Sequence, residues 1–267
     1  MKTKAEIIRA LAQAEEDRVL LAQALDKLET CRTRSYQTNT RFLDLRERTL
    51  VTEAVRLADG TGGMVVTGGY ADAERAVAVF YPEYMTAEDA LSPENSPFAM
   101  LRAQKHPADT LTHRDYLGAL MGLQVKRECI GDILVHGTGA DLIVLREVAD
   151  FLLLHFDRAG RKRLEVQEIA PGSLCIPQES GEEKEGSVAS MRLDSVTALL
   201  FGLSRAEAQE QIAKGQVFLN FLQCAKAEKD VREGDRITLR GMGRARVTAL
   251  SGTSRKGRQF LRYVRSR

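Results

Sequence analysis

Apolar residues fall at Ile7, Ile8 and Leu11, then at Leu20, Leu21, Leu25 and Leu28, with charged residues between them. That spacing predicts one or two amphipathic helices over 4–29. Phe42, Leu45, Leu50, Val55 and Leu57 repeat the texture over 42–58, and Gly60, Gly62 and Gly63 bring it to a stop. Two short apolar runs follow, 64–66 and 76–81, separated by Gly68-Gly69, and predict a small hairpin. Pro82, Pro93, Pro97 and Pro107 then punctuate a boundary region.

The next stretch reads strand, helix, strand, strand, helix, strand. Residues 98–104 form an apolar strand candidate. Thr112 with Asp115 three positions on marks a helix start, and that helix runs through Tyr116, Leu117, Leu120 and Met121 to about Gly122. The runs 130–135 and 142–145 are joined by Gly137-Thr138-Gly139, a hairpin signal. Residues 147–156 read as a helix and 164–169 as a last strand. The order βαββαβ is that of a ferredoxin-like sandwich, the architecture of RNA-recognition modules.

No apolar residue occurs in 178–186, which reads as a linker. Beyond it, Leu193, Val196, Leu199 and Leu200 make a helical stripe that Gly202 ends. Ser204 and Glu207 form a capping box for a second helix, whose Ala208 and Ile212 face the first and whose end is marked by Gly215. Strands are expected over 217–219, within 231–240 and over 247–250, with a tight bend at 241–244. The fold class is therefore α+β. Its expected parts are an N-terminal helical and hairpin region (1–90), a ferredoxin-like domain (96–176), a linker (177–188) and a C-terminal domain (189–267).

Charge changes the picture. The chain of 267 residues carries 39 basic and 37 acidic side chains, a net +2 that argues against a polyanion binder. Residues 187–267, however, hold sixteen basic against seven acidic side chains, an excess of +9, which leaves −7 for the rest. A basic module on an acidic body is suited to phosphate. Cys31, Cys129, Cys175 and Cys224 are too scattered for a zinc finger or a disulfide framework. The acidic start is unlike a secretory signal, and no apolar run is long enough to span a membrane. A cytoplasmic protein with no cofactor and no metal is expected. His113-Arg114-Asp115 has the letters of a kinase catalytic loop, but without the companion Asn or glycine-rich loop it reads as a helix start.

The pieces Arg192-Leu-Asp194, Leu203-Ser-Arg205, Ala208 with Ile212, Gly215 with Val217, and Glu233-Gly-Asp235 resemble, in order and spacing, the S4 RNA-binding domain. One position departs: Asn220 is followed by Phe221 where the family carries Asn-Gly, so a different hairpin turn is expected there. Upstream, Gly68-Gly-Tyr-Ala-Asp-Ala-Glu-Arg75, Tyr81-Pro82, Leu111-Thr-His-Arg-Asp-Tyr-Leu-Gly118, Val125-Lys-Arg127 and Ile130-Gly-Asp-Ile133 are similar to the YlmH family, S4-domain proteins with an RRM-like middle domain. The resemblance implies a ribosome-associated RNA binder. Its S4 part is also similar to small heat-shock S4 proteins that hold a large ribosomal subunit bearing stalled peptidyl-tRNA.

The chemistry points the same way. Arg192 and Arg205 stand at two helix starts, where guanidinium forks and helix N–H groups suit phosphate. Ser204 and Gln209 offer hydrogen bonds to sugar or base, and Lys214 lies at the end of the second helix. Gly241 and Gly243 permit close backbone approach beside Arg244 and Arg246. Asn220 and Arg240 complete the candidate RNA-binding set. Asp194 is expected to stabilise its helix start. Arg75, Arg114, Lys126 and Arg127 are candidates for a second RNA face. A non-enzymatic binder of rRNA or tRNA on the large subunit, with no catalytic residue, is the leading expectation. An RNA-modifying enzyme of the pseudouridine synthase kind, or an adaptor linked to cell division, are the alternatives.

Overall fold

The computed structural model describes residues 2–58, 63–177, 183–254 and 257–266. Gly60 and Gly62, expected to end a helix, and part of the expected linker lie outside them. The chain divides into two compact units, Met1–Pro177 and Gln178–Arg267.

In the first unit the N-terminal stripe becomes two helices, α1 (Lys4–Leu11) and α2 (Glu15–Arg34). Thr3 caps α1, and the buried Asp17 carboxylate accepts from the N–H groups of Gln13 and Ala14 at the start of α2. Two N–H···O bonds from Arg46, both 2.7 Å, finish the Asp17 site and hold its carboxyl at about 2. After β1 (Thr38–Asn39), helix α3 spans Leu45–Leu57. It is shorter than expected. Leu43 exchanges backbone hydrogen bonds with Ala76, and Phe42 is fully buried ahead of the Asp44 cap.

Strands β2 (Gly63–Thr67) and β3 (Val77–Tyr81) form the expected antiparallel hairpin, and β1 joins its other side in the order β1-β3-β2. Strand β3 is buried on both faces. Ala78 and Phe80 pack with α1, α2 and α3, while Val77 and Val79 pack with Phe98, Met100, Ile143 and Leu145. The short helix α4 (Ala87–Ala90) adds Ala90 to the second cluster.

The sequence βαββαβ appears as β4 (Phe98–Lys105), α5 (His113–Gly122), β5 (Ile130–His136), β6 (Gly139–Leu145), α6 (Arg146–His155) and β8 (Lys162–Glu168), with a two-residue strand β7 (Arg158–Ala159) before β8. The antiparallel order β5-β6-β4-β8-β7 is the ferredoxin-like order with one short strand added at the edge. Tyr116, Leu120, Ala149 and Leu152 of the two helices pack on the face made by Ala99, Leu101, Leu142 and Val144. The opposite face, which an RRM offers to RNA, is covered in its apolar part by β3 and Phe42. Residues 1–90 and 96–176 thus contribute to one core.

The family-like motifs upstream serve that join. Asp132 accepts from the Tyr70 hydroxyl (2.8 Å) and from the N–H groups of Glu74 (2.7 Å) and Arg75 (3.1 Å). A Cβ on Gly131 would stand 2.7 Å from the Phe42 ring, so the chain there must be glycine.

The second unit starts earlier than expected. Residues 183–188, expected to be linker, form strand β9 (Glu183–Val188), which pairs with β14 (Gln259–Ser266). The backbone ladder needs no apolar pattern, and only Val188 of β9 is buried. Helices α7 (Leu193–Phe201) and α8 (Arg205–Ala213) follow, then β10 (Val217–Leu219), β11 (Leu222–Gln223), β12 (Arg236–Leu239), β13 (Gly243–Thr253) and β14. Gly202, at φ +70, ends α7 in the left-handed region as its position predicts. The sheet order is β11-β10-β12-β13-β14-β9. Val217, Ile237, Leu239, Ala245 and Val247 face the core shared with Leu193, Val196, Leu200 and Ile212. At the observed boundary the basic excess of this unit is +6, because four glutamates and one lysine join it.

Candidate nucleic-acid interface

Arg192 is the N-cap of α7, and Ser204 is the N-cap of α8, directly ahead of Arg205. Ser204 accepts from Glu207 N–H at 3.2 Å, and its own N–H donates to the Glu207 carboxylate at 2.7 Å, the capping box that the spacing predicts. The two helix starts meet at Asp194, whose side chain is fully buried.

Four groups aim at that carboxylate. Gln209 Nε2 donates at 2.7 Å, Arg205 Nε at 3.0 Å, Arg192 Nε at 3.3 Å and the Ser195 N–H at 2.8 Å. Burial alone would raise the Asp194 pKa. The hydrogen bonds from Gln209, Arg205 and Arg192 overcome it and hold the carboxyl at about 2. Arg205 binds through its Nε–H, and Arg192 through its Nε–H and, at 3.5 Å, one Nη–H; their side chains remain 54% and 39% exposed, so both are anchored while part of each guanidinium stays open to solvent. That is a preorganised pair of guanidinium forks at two helix N-termini. Asp194 does more than stabilise its own helix start, as expected of it: it is the anchor of the site. Sequence spacing gave no sign of this, because Asp194 and Gln209 are fifteen residues apart.

The other candidates lie elsewhere in the unit. Lys214 is the C-cap of α8, at the far end from Ser204, and pairs with Glu210 at 2.7 Å. Arg244 and Arg246 alternate with the buried Ala245 and Val247, so they belong to the sheet face turned away from α7 and α8. Arg246 stands opposite Arg236, and Arg244 opposite Thr238. Arg240 is exposed just past β12. The nine candidates therefore divide between the helix-start cluster (Arg192, Ser204, Arg205, Gln209) and the rest of the unit.

Asn220 has an internal role. Its Nδ2 donates to Asp235 at 2.8 Å and its Oδ1 accepts from the Arg236 N–H at 2.9 Å. The expected change of turn does not occur. Leu219 pairs with Leu222 across a two-residue loop in which Asn220 (φ +48) and Phe221 (φ +70) are both left-handed, the type I′ pattern that Asn-Gly would adopt. Phe221 bears the left-handed strain, about 1–2 kcal/mol. Its ring lies 5.3 Å from the Arg236 guanidinium carbon, which offsets part of it.

Arg258 was missed. Its guanidinium donates to the Ser187 hydroxyl (3.0 Å) and carbonyl (2.5 Å), and it lines a groove with Arg205, Ser187, Ser195 and Leu199. Its only sequence signal is the basic excess of residues 187–267. Two candidates for a second RNA face are corrected. Arg75 donates to the carbonyls of Ile130 and Phe42, and Arg127 to those of Ile130 and Gly131, so both tie backbone inside the first unit. Burial draws Arg127 down to about 10. Arg114 and Lys126 are exposed. His136, Asp141 and Cys175 converge closely enough for a metal, but Arg102 already fills that place with two N–H···O bonds to Asp141 of 2.7 and 2.8 Å.

The lowered acids set a pH dependence. Asp194 and Asp17 titrate at about 2 in the folded chain against an ordinary 3.8. Their stabilisation is complete above about pH 4 and is lost as pH falls toward 2. Urea unfolding midpoints should fall over that window, and Asp194→Asn should shrink the part of the fall that belongs to the second unit.

Among the described residues, no helix is long and apolar enough to cross a membrane. Residues 101–171 match the family model described as "Putative RNA-binding domain in YlmH", and residues 191–237 match the S4 domain. The chain is similar in fold to the cell division protein YlmH from Streptococcus pneumoniae, with a TM-score of 0.51 and 18% identity over 62% of this chain and 98% of that one. It is 32% identical over 256 residues, 95% of its length, to the ribosome-associated protein quality control protein P2 of Bacillus subtilis (strain 168), of which 96% is covered. By this full-length relationship and by its two domain matches, the chain belongs to the YlmH family of S4-domain proteins.

Proposed function

We propose that the chain is a non-enzymatic, cytoplasmic RNA-binding protein that docks on the large ribosomal subunit through its S4 unit. It contacts structured rRNA, tRNA or both, in the rescue or quality control of stalled ribosomes. The observation that carries this reading is the convergence of Arg192, Arg205 and Gln209 on buried Asp194, which presents two forks at adjacent helix starts. The name of the Bacillus subtilis relative supports the ribosomal setting. Phosphate contacts position such a module on RNA and make its affinity fall with salt.

Co-sedimentation with purified large subunits over a salt series tests it. Arg192→Ala with Arg205→Ala removes two phosphate contacts, so the slope of log K against log salt should become shallower by about 1.5. An unchanged slope and unchanged binding would place the interface elsewhere.

A further inference from the structure

The covered face of the ferredoxin-like sheet leaves a question: where could this part of the chain meet RNA? Its edge supplies an answer. Strands β7 and β8 form a tight hairpin in which Ala159 pairs with Lys162 and Arg158 with Arg163. The two turn residues are Gly160, at φ +60, and Arg161. Six consecutive residues thus carry Arg158, Arg161, Lys162 and Arg163, all exposed. They belong to a unit whose overall balance is acidic, at −4.

The hairpin is rigidly rooted. Ala159 and Leu164 are buried in the core with α5 and α6, and β8 continues along β4, with Leu164 opposite Lys105. The basic side chains therefore project from a fixed edge. Arg158 pairs with Asp157 at 3.2 Å and Lys162 with Asp109 at 2.5 Å, and Arg163 acts on the Asp157 carboxylate at longer range. Arg161 and Arg163 have no ion pair among the described residues. Arg158 and Arg163 also sit directly opposite each other across the ladder, and both lower the pKa of the neighbouring Asp157 carboxyl.

We propose that the β7–β8 hairpin is a second RNA contact, gripping backbone phosphates through Arg158, Arg161 and Arg163. It takes its ligand class from the RNA-binding reading above, but its location is independent of the S4 helices. It reads no bases, because no aromatic side chain accompanies the arginines on the hairpin. Its part is to set how the first unit lies on RNA.

The test uses the full chain carrying Arg158→Ala, Arg161→Ala and Arg163→Ala together. These side chains are exposed, so the thermal midpoint should not move. Binding to purified large ribosomal subunits should weaken about tenfold at low salt. The slope of log K against log salt should become shallower by about 2, and Arg→Lys at the same three positions should restore it. Photo-crosslinking of the unmodified chain to those subunits should place nucleotides on the 158–163 peptide, and should still do so with Arg192→Ala and Arg205→Ala present. An unchanged slope, or crosslinks confined to 183–266, would overturn the proposal while leaving the S4 reading intact. Weakened binding to subunits with unchanged binding to protein-free ribosomal RNA would overturn it in favour of an acidic protein surface.

Discussion

Asp194→Ala should weaken binding to purified large ribosomal subunits about tenfold, although it makes the chain more positive by one charge. The two effects have opposite signs, which makes the experiment decisive. If the S4 unit holds RNA by overall charge alone, removing an acid next to two arginines tightens binding. If it holds RNA by geometry, the loss of the anchor dominates. Asp194 is the common acceptor for Arg192, Arg205, Gln209 and the Ser195 N–H. Without it, both guanidinium groups regain rotamer freedom worth up to about 2 kcal/mol each. Only part of that needs to be spent again on binding to give about tenfold, or 1.4 kcal/mol. Folding suffers too. The arginines are half exposed and can be rehydrated, but the Ser195 N–H and the Gln209 amide lose a charged partner, so a cost of about 2–3 kcal/mol is expected. Circular dichroism at the binding temperature separates lost positioning from lost structure. Tighter binding by a folded Asp194→Ala chain would show that Asp194 does not organise the interface.

The parts of this architecture that are local in sequence were legible in it. The capping box at Ser204 and Glu207, the glycine end of α7 and the apolar runs of β4 and β6 each involve neighbours along the chain, and each took the expected form. What escaped was set by contacts between distant residues. Strand β9 has almost no apolar pattern and exists because β14, more than seventy residues on, offers it a ladder. The role of Asp194 depends on α8 folding back on α7. Arg75 and Arg127 looked like phosphate ligands because arginine looks the same in a sequence whether it faces solvent or a ring of carbonyls. The run from Ala76 to Tyr81 did hold a readable sign. It lacks the alternation of a one-sided strand, as a strand buried on both faces should.

That two-sided burial changes what the ferredoxin-like order implies. In an RRM the exposed sheet face carries aromatic residues on which bases stack. Here the same face carries Phe98, Met100, Ile143 and Leu145, closed against Val77, Val79 and Phe42. The topology is kept, and the apolar part of the surface is used up. With the aromatic-platform position closed, the basic β7–β8 hairpin, and not a stacking sheet, is the place of the proposed contact.

Ile143→Lys is the second large effect expected. Ile143 is fully buried on β6, opposite Met100 of β4. If that face were an RNA platform, a lysine there would be tolerated and would strengthen binding to RNA. If it is core, the ammonium must either lose its proton or drag water between β3 and the sheet, and neither comes cheaply. A cost of about 4 kcal/mol or more is expected. For a unit of this size that lowers the thermal midpoint by about 10 °C or more. Gln167→Lys is the matched control, because Gln167 pairs with Arg102 on the same face of the sheet, beyond the covered part, and is exposed. It should leave the midpoint unmoved. A stable Ile143→Lys chain with tighter RNA binding would reverse the assignment of this face, since an unpaired ammonium inside that apolar cluster is not tolerated.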